Sequence, residues 1–342
     1  MTIPTDRPAD SMPLGHTTRA ALTFGSRASA LALWQTRWVI ERVRAVAPDV
    51  ALTIVEITTR GDKTQHTNVP LSQVGDKAMF VAELERALLV GMPDAIEKSS
   101  SDLPHIDAAV HSLKDLPGQL DARFMLAAIT ERADPRDALV SRHGLGLRDL
   151  PRGAVVATSS LRRKAQLLHA RPDLKIVNIR GNVDTRLRKT FAADGPDATI
   201  LAYAGLARLG LEDRVTELLP VEIMVPAVGQ GALAVEIRAT DEDAHALLGA
   251  VDHQPTRECV LAERAVLATI GGGCFVPLGA HATLHDDGKT IRLIAVIASP
   301  DGSRLVRADR SGPASQPDQL GQAVASELLA GGARSILDEL AK

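Results

Sequence analysis

Short apolar runs alternate with amphipathic stretches along the first third of the chain. Short β-branched runs are typical of buried strands, whereas apolar residues spaced three or four apart are typical of helices. The pattern predicts strands at 21–24, 52–57 and 108–111, helices at 28–46 and 79–90, and a polar loop at 58–77. Trp34 and Trp38 lie on one face of the first helix. The strand–helix alternation predicts a mostly parallel sheet with right-handed crossovers.

The alternation restarts after Asp134-Pro135-Arg136-Asp137. This second unit has predicted strands at 155–157, 175–179 and 199–202, and predicted helices at 161–170 and 183–191. One more strand is predicted at 232–237, after the turn-like Val228-Gly229-Gln230-Gly231. The last section changes character, with a helix at 255–270, strands at 280–284 and 291–297 around Asp286-Asp287-Gly288, a further strand, and a helix at 318–329. Such a turn sequence is typical of a hairpin. The fold class is therefore α/β, with two α/β domains and a small C-terminal α+β domain.

Length and composition agree with several soluble domains. The chain has 342 residues, more than the roughly 250–300 that one core supports, so two or three domains are expected. Apolar residues make up 45% and charged residues 24%, as in ordinary globular proteins. No apolar run approaches the length of a membrane span. Residues 1–19 contain acidic residues and prolines but no apolar segment, so they are not a secretory signal.

Arginine is unusually frequent, with 30 Arg against 9 Lys. A GC-rich genome explains this excess as well as a need for planar groups that bind carboxylate or phosphate does. Residues 158–208 carry a net charge of +6 within a chain of net charge −3. This asymmetry indicates a polyanionic ligand. Nucleic acid is disfavoured, because aromatic residues for base stacking make up only 2% of the chain.

Three strand-to-helix junctions carry candidate binding residues. At such junctions free backbone N–H groups and the helix dipole attract anions. At the first, Ser29 is placed to cap the helix and Arg27 stands at its mouth, although a plain N-cap with a solvated arginine fits the pattern too. The second reads Thr158-Ser159-Ser160-Leu161-Arg162-Arg163, and the third reads Ile179-Arg180-Gly181-Asn182-Val183-Asp184-Thr185-Arg186. Arginines in the first turn of a helix are disfavoured by the positive end of the helix dipole, unless an anion lies between them and the helix end.

The segment from His111 to Pro117 (HSLKDLP) ends a predicted strand with a Lys114–Asp115 pair. Ser112 and Lys114 share a face, which permits Ser–Lys acyl chemistry, but nothing else in the chain is typical of a hydrolase. Asp115 is either a turn-capping carboxylate or a functional group at the carboxyl end of a strand.

The two cysteines, Cys259 and Cys274, match no metal-ligand spacing, so no metal site is expected. A reduced, cytoplasmic protein fits this cysteine usage. Cys259 falls within an apolar helix and is expected to be buried. Cys274 follows Gly271-Gly272-Gly273, where the backbone admits a bulky group, so it is a candidate nucleophile or attachment site.

Together these motifs resemble the porphobilinogen deaminase family. The resemblance rests on RxSxLALWQ, VxxKxxF, HSLKDLP, DPRDALV, TSSLRRKAQL, IRGNVDTRL, AxAGLARLGL, PAVGQGAL and GGGCFVPLGA, in this order over residues 21–341. An N-terminal extension and an insertion near 92–105 depart from it. The resemblance implies two periplasmic-binding-protein-like (type II) α/β domains plus a small C-terminal α+β domain. The expected parts are a flexible extension at 1–20, domain 1 at 21–133 with 230–250, domain 2 at 134–229, and domain 3 at 251–342.

By this resemblance the protein is a transferase that joins four porphobilinogen molecules head to tail, releasing ammonia, to give hydroxymethylbilane. The implied cofactor is a dipyrromethane held through a thioether to Cys274, with no metal. The implied catalytic residue is Asp115, whose charge stabilises the azafulvenium-type cation left when ammonia departs. The implied cofactor-binding residues are Cys274, Arg162, Arg163, Ser112, Lys114, Asp115, Thr158, Ser159, Ser160, Arg186 and Gly231.

Porphobilinogen carries an acetate and a propionate, so arginines suit its binding. The implied substrate-binding residues are Arg27, Ser29, Lys77, Phe80, Arg180, Arg186 and Arg208. The family resemblance favours a cytoplasmic monomer without nucleic-acid or membrane partners. The competing hypothesis is a non-catalytic binding-protein-like module for a polycarboxylate, which would not require Asp115 together with Cys274.

Overall fold

The computed structural model describes residues 19–59, 81–91, 103–271 and 276–340. Nearly all of the predicted extension at 1–20 and of the predicted loop at 58–77 lies outside these residues. So do most of the insertion near 92–105, two of the predicted substrate-binding residues, Lys77 and Phe80, and the predicted attachment site, Cys274.

The first lobe is a five-stranded sheet covered by helices. In chain order it contains β1 (Ala21–Arg27), α1 (Ala30–Val46), β2 (Ala51–Ile57), α2 (Ala82–Leu88), β3 (Ala108–Ser112) and β4 (Phe124–Ile129). Helix α1 forms because Val39, Ile40 and Val43 repeat at helical spacing and are buried against the sheet. The prediction that Trp34 and Trp38 lie on one face of α1 is confirmed, and their rings stack with centroids 6.3 Å apart.

The second lobe repeats this plan. It contains β5 (Asp137–Ser141), β6 (Val155–Ala157), α3 (Leu161–Ala170), β7 (Lys175–Val177), α4 (Val183–Thr190), β8 (Ala198–Ala202), α5 (Tyr203–Arg208) and β9 (Glu217–Leu218). Its core is aliphatic, as the low aromatic content predicts.

The chain passes from the first lobe to the second at residues 130–136, called the first crossing. It returns at residues 219–232, called the second crossing, and adds β10 (Leu233–Arg238) to the first sheet. The first sheet has the order β2-β1-β3-β10-β4, and the second has the order β7-β6-β8-β5-β9. In each, the strand that directly follows a crossing, β10 or β5, runs antiparallel to both neighbours, while the other described pairings with β1 and β6 are parallel. The strand that follows each crossing therefore lies inside the sheet of the lobe that the chain enters, between two other strands of that sheet. The predicted pair of α/β domains is confirmed. The domain limits themselves stay a prediction.

After α6 (Glu242–Leu248), the chain forms the third unit. It contains α7 (Gln254–Ile270), β11 (Leu278–Leu284), β12 (Thr290–Ala298), β13 (Leu305–Pro313), α8 (Pro317–Leu328) and α9 (Arg334–Leu340). The strands form an antiparallel sheet in the order β11-β12-β13, covered by α7 and α8. Helices α7 and α8 approach so closely that a Cβ on Gly321 would lie 2.4 Å from the Ala262 carbonyl oxygen.

Several local predictions differ from the structure. Strands β4, β5 and β9 have no counterpart among the predicted strands, because β9 has only two residues and β4 and β5 lack a clear alternation of apolar and polar positions. Helix α1 begins at Ala30 rather than at residue 28, since Ser29 is its N-cap and accepts a hydrogen bond from the Ala32 N–H. Strand β7 ends at Val177 and not at residue 179, because the Ile179 N–H donates to the Ser159 hydroxyl instead. Within the described ranges, no helix combines the length and the apolar composition needed to cross a membrane.

Candidate functional site

The HSLKDLP segment forms a tight turn at the carboxyl end of β3. After Ser112 the chain makes one turn of 3-10 helix over Leu113–Asp115, closed by the Leu116 N–H donating to the Leu113 carbonyl at 3.1 Å. Leu113 and Leu116 are buried and anchor the turn in the core. Gly229 has φ +68°, and a Cβ there would lie 1.9 Å from Leu113 Cδ2. Glycine at this position therefore lets the second crossing pass beneath the turn that carries Lys114 and Asp115.

Asp115 interacts electrostatically with cations from both lobes, namely Lys114, Arg163 and Arg186. Burial, followed by Arg163, lowers the pKa of Lys114 to about 7, while Asp115 raises it. Burial, followed by Arg163, also lowers the pKa of Arg186 to about 10. These four residues are called the interlobe site below. Buried cations whose pKa is lowered by a neighbouring cation form a place where added anions are stabilised.

The second junction holds its two arginines on a carboxylate of the chain itself. Arg162 Nη1 lies 2.7 Å from Asp137 Oδ2, and Arg163 Nη2 lies 2.8 Å from Asp137 Oδ1. Asp137 is fully buried; although burial opposes its ionisation, Arg162 and Arg163 hold its pKa well below the usual range. Asp137 therefore supplies an anion beside the two arginines in the first turn of α3, where the helix dipole disfavours cations. The sequence pattern did not identify Asp137, which lies about 25 residues before the pair.

The hydroxyl residues of the second junction mostly serve the backbone. Ser160 caps α3 by accepting from the Arg163 N–H, and the Thr158 hydroxyl accepts from the Ser160 N–H. The Ser159 hydroxyl donates to the Ile179 carbonyl at 2.8 Å and accepts from the Ile179 N–H. Its only O–H is therefore used to join the second junction to the third.

The third junction places Arg186 in the interlobe site. Asn182 caps α4, and Arg186 Nε donates to the Gly181 carbonyl at 2.8 Å. Gly181 has φ +119°, a conformation that residues with a Cβ rarely adopt. Arg180 lies close enough to Arg186 to lower its pKa. The structure therefore brings Arg186 close to both Arg180 and Asp115.

The first junction contacts the end of β3, just before the Leu113–Asp115 turn, through a residue that the sequence analysis missed. Arg27 ends β1 and Ser29 caps α1, as predicted. Buried Gln35, on the second turn of α1, donates from Nε2 to the Ser112 hydroxyl at 2.9 Å. Its only signal in the sequence is that it closes the RxSxLALWQ motif.

Arg208 joins the lobes at the second crossing. Its Nη2 donates to the Gly231 carbonyl at 2.6 Å, and its guanidinium carbon lies 5.9 Å from the Trp34 ring centroid. Burial lowers the pKa of Arg208 to about 10. Gly231 has φ +96°, and a Cβ there would lie 2.3 Å from the Ala133 carbonyl oxygen. The structure thus pairs Arg208 with Gly231 and not with Asp115.

Glu263 of α7 ties both crossings to the third unit. Its buried carboxylate lies 2.5 Å from Arg132 Nη1 on the first crossing and accepts from the Gly229 N–H on the second at 2.7 Å. It also accepts from the Ala282 N–H of β11 at 2.7 Å. One side chain therefore connects all three parts of the molecule behind the interlobe site.

Of the two cysteines, only Cys259 lies within the described residues. It is buried in α7, and burial, followed by Glu263, raises the pKa of its thiol to about 11. A thiol with this pKa is protonated and unreactive at neutral pH. Among the described side chains, no cluster of His, Cys, Asp or Glu has the arrangement of a metal site.

Comparisons with known proteins agree with the resemblance found in the motifs. Residues 22–246 match the family described as porphobilinogen deaminase, dipyromethane cofactor binding domain, and residues 257–330 match its C-terminal domain. The chain is 47% identical to the porphobilinogen deaminase of Pelobacter propionicus over 93% of its own length and 97% of the relative's. It is 48% identical to that of Roseiflexus castenholzii, over 93% of this chain and 99% of the relative. Among solved structures, the methionine-binding protein MetQ superposes with a TM-score of 0.41 and 12% identity, over 70% of this chain and 93% of that chain.

Proposed function

Because this chain belongs to the porphobilinogen deaminase family, we infer that its reaction takes place at the interlobe site. The enzyme is a transferase that joins porphobilinogen molecules on a dipyrromethane cofactor with loss of ammonia, and its product is hydroxymethylbilane. The observation that carries the assignment of the site is the position of Asp115 among cations of both lobes.

The interlobe site fits the cofactor and the substrate by charge. Each pyrrole ring carries two carboxylates, and Arg163 depresses the pKa of both Lys114 and Arg186. A ligand carboxylate relieves this repulsion and accepts charge-assisted hydrogen bonds, which are bidentate with arginine. The binding free energy therefore comes from anions entering a site that already holds excess positive charge.

Asp115 acts on the cation left when ammonia departs from porphobilinogen. That positive charge is shared with the pyrrole nitrogen, and a fixed carboxylate beside it lowers the free energy of the transition state. The tight turn at Leu113–Asp115 fixes the backbone of Asp115 before substrate arrives. Little reorganisation is then needed when the charge develops.

The remaining residues are assigned by their neighbourhood. We assign substrate carboxylates to Arg27, Ser29, Arg180 and Arg186, with Lys77 and Phe80 as further substrate-binding residues. We assign cofactor carboxylates to Ser112, Lys114, Thr158, Ser160, Arg162, Arg163 and Arg186. Ser159, Gly231 and Arg208 act less directly, because their hydrogen bonds join parts of the chain to one another.

When bound, the dipyrromethane supplies the pyrrole carbon to which the first substrate is joined. Cys274 is the attachment residue, since the other thiol, Cys259, is buried and held protonated. We further propose that the enzyme works as a cytoplasmic monomer without nucleic-acid or membrane partners, in line with its net charge of −3.

Intact-mass measurement of the purified protein tests this function. We expect a two-pyrrole adduct that reacts with Ehrlich's reagent, that maps to Cys274, and that allows porphobilinogen to be consumed. Cys274→Ala should lack the adduct and the activity, and should unfold at lower temperature, because a ligand bound only to the native state adds stability.

The matched control is Cys259→Ala, which should keep both the adduct and the activity. An adduct lost from Cys259→Ala but kept by Cys274→Ala would overturn the attachment site. A wild-type protein without any adduct that binds polycarboxylates but consumes no porphobilinogen would favour the non-catalytic binding module.

A further inference from the structure

Gln230 lies at the centre of the second crossing, between the two lobes. Its side chain is almost wholly buried, with 1% of its surface exposed. Its Oε1 accepts from Lys114 Nζ at 3.4 Å, and its Nε2 donates to the Pro135 carbonyl at 2.6 Å and to Asp137 Oδ1 at 3.1 Å. Arg132 Nε donates to its backbone carbonyl at 2.8 Å. Both amide donors and the amide acceptor are therefore used.

These hydrogen bonds connect the cationic groups of the two lobes. Lys114 belongs to the catalytic turn after β3, whereas Asp137 begins β5 and holds Arg162 and Arg163. Gln230 is hydrogen-bonded to both Lys114 and Asp137. The path from Lys114 to the two arginines therefore runs through the Gln230 amide and the Asp137 carboxylate. Each group in this path is at least partly removed from water, which strengthens its hydrogen bonds.

We propose that Gln230 is a positioning residue, whose amide fixes the Lys114 ammonium relative to Asp137 and its two arginines. It thereby sets the spacing of the cations that receive ligand carboxylates from the two lobes. This inference rests on the proposed function and adds to it a residue that touches neither substrate nor cofactor in the argument above.

The amide is the side chain that suits this position. It presents a donor to the Asp137 carboxylate and an acceptor to the Lys114 ammonium at the same time. A carboxylate in its place would bring a second anion close to Asp137, and like charges in a buried site repel strongly. A leucine of similar volume would remove the acceptor from Lys114 and one donor from Asp137.

The charge state of Lys114 reports on this contact. The charged groups that act on Lys114 are Arg163 and Arg162, which with burial lower its pKa, and Asp115 and Asp137, which raise it. An acceptor bonded to the ammonium favours the charged form. Loss of the acceptor therefore lowers the pKa of Lys114, whereas a carboxylate at the same position raises it.

Competitive labelling of the holoenzyme with acetic anhydride, followed by peptide mass spectrometry, measures the pKa of Lys114 without using activity. In Gln230→Leu we expect this pKa to fall by about one pH unit, and in Gln230→Glu to rise by a similar amount. The cofactor content of each variant is read from its intact mass. Steady-state assays per loaded enzyme should give a KM raised about tenfold in Gln230→Leu, with a smaller change in kcat.

The matched control is Gln166→Leu. Gln166 is equally buried, but its amide bonds only to backbone atoms of Arg162 and Val225. Its variant should lose stability and leave the pKa of Lys114 in place. An unchanged pKa of Lys114 in both Gln230 variants would overturn the positioning role. A wild-type protein that consumes no porphobilinogen would instead overturn the proposed function, while the labelling experiment would still decide the role of Gln230.

Discussion

Asp115 is the carboxylate on which the proposed chemistry depends, and its surroundings explain why charge matters there. It interacts with Lys114 from the same turn and with Arg163 and Arg186 from the other lobe. Once ligand carboxylates bind these cations, the proposed role of Asp115 is to stabilise the pyrrole cation by its charge.

Asp115→Asn should therefore lower turnover by at least about 10²–10³, the scale for one preorganised electrostatic group. Asp115→Glu keeps the charge but displaces it, so it should retain more activity than Asp115→Asn. Single-turnover assays with porphobilinogen measure both variants.

Asp121→Asn is the control, because Asp121 is exposed and paired with nearby Arg123. Its activity should equal that of the wild type. If Asp115→Asn and Asp115→Glu were equally active, hydrogen bonding rather than charge would be the contribution of Asp115.

At the scale of single elements, helix α2 places the carboxylate of Glu85 close to charged or polar groups of two strands of the first sheet. Burial, followed by Glu236 of β10, raises the pKa of Glu85 to about 7, while His111 of β3 lowers it. Glu236 is fully buried, with its Oε2 3.0 Å from His111 Nε2, a close approach without the geometry of a hydrogen bond. The contact is therefore better described as electrostatic than as a hydrogen bond.

Glu85→Gln should stabilise the protein at alkaline pH. The folded state raises the pKa of Glu85 above its unfolded value of 4.5, so the native protein binds this proton more tightly. The stability that the protonated form provides is complete below the unfolded pKa and is lost as pH rises towards 7. Relative to wild type, the variant should gain about 1–2 kcal/mol at pH 8, after allowance for partial solvent exposure.

Urea unfolding at pH 4.5 and at pH 8 measures this effect, and the two proteins should differ little at the lower pH. Glu41→Gln, on the exposed face of α1, should show no such dependence on pH. Equal stabilities of wild type and Glu85→Gln at both pH values would contradict the role given to burial of Glu85.

At the scale of the whole molecule, the enzyme must accommodate a product that grows while both lobes hold it. Each added ring brings two carboxylates, yet Asp137 already neutralises part of the charge of Arg162 and Arg163. Positive charge is therefore scarcer than the sequence alone indicates, and like charges on the growing chain repel. We expect the lobes to shift about the connections at 130–137 and 226–230, which Glu263 joins to the third unit.

Single substitutions of the arginines should then stop elongation at different numbers of rings. Arg186→Ala should block the first addition, because Arg186 interacts with Asp115, whereas Arg27→Ala and Arg180→Ala should stop it later. Native mass spectrometry with limiting porphobilinogen shows which intermediate accumulates.

Arg310→Ala, exposed on β13, is the control and should complete the product. The same ring count in every arginine variant would contradict graded filling and would favour one shared binding step.

Local signals in the sequence determined much of this protein. The limits of β6 and α3 and the capping of α1 by Ser29 follow from short-range periodicity and from backbone N–H groups that need an acceptor. The ordered motifs indicated the family, and the comparisons confirmed it. These features depend on residues close together in the chain, and such interactions are visible in a single sequence.

Only the tertiary structure decided which distant residues meet. It placed β5 and β10 inside their sheets, between strands from other parts of the chain. The ion pairs of Asp137 and the hydrogen bonds of Gln230 join positions from 25 to 116 residues apart. No local pattern specifies such pairs, because burial and charge compensation depend on how the two sheets pack. Buried Asp137 and Gln230 are stable only where every polar atom finds its partner, and the crossing of the lobes provides those partners.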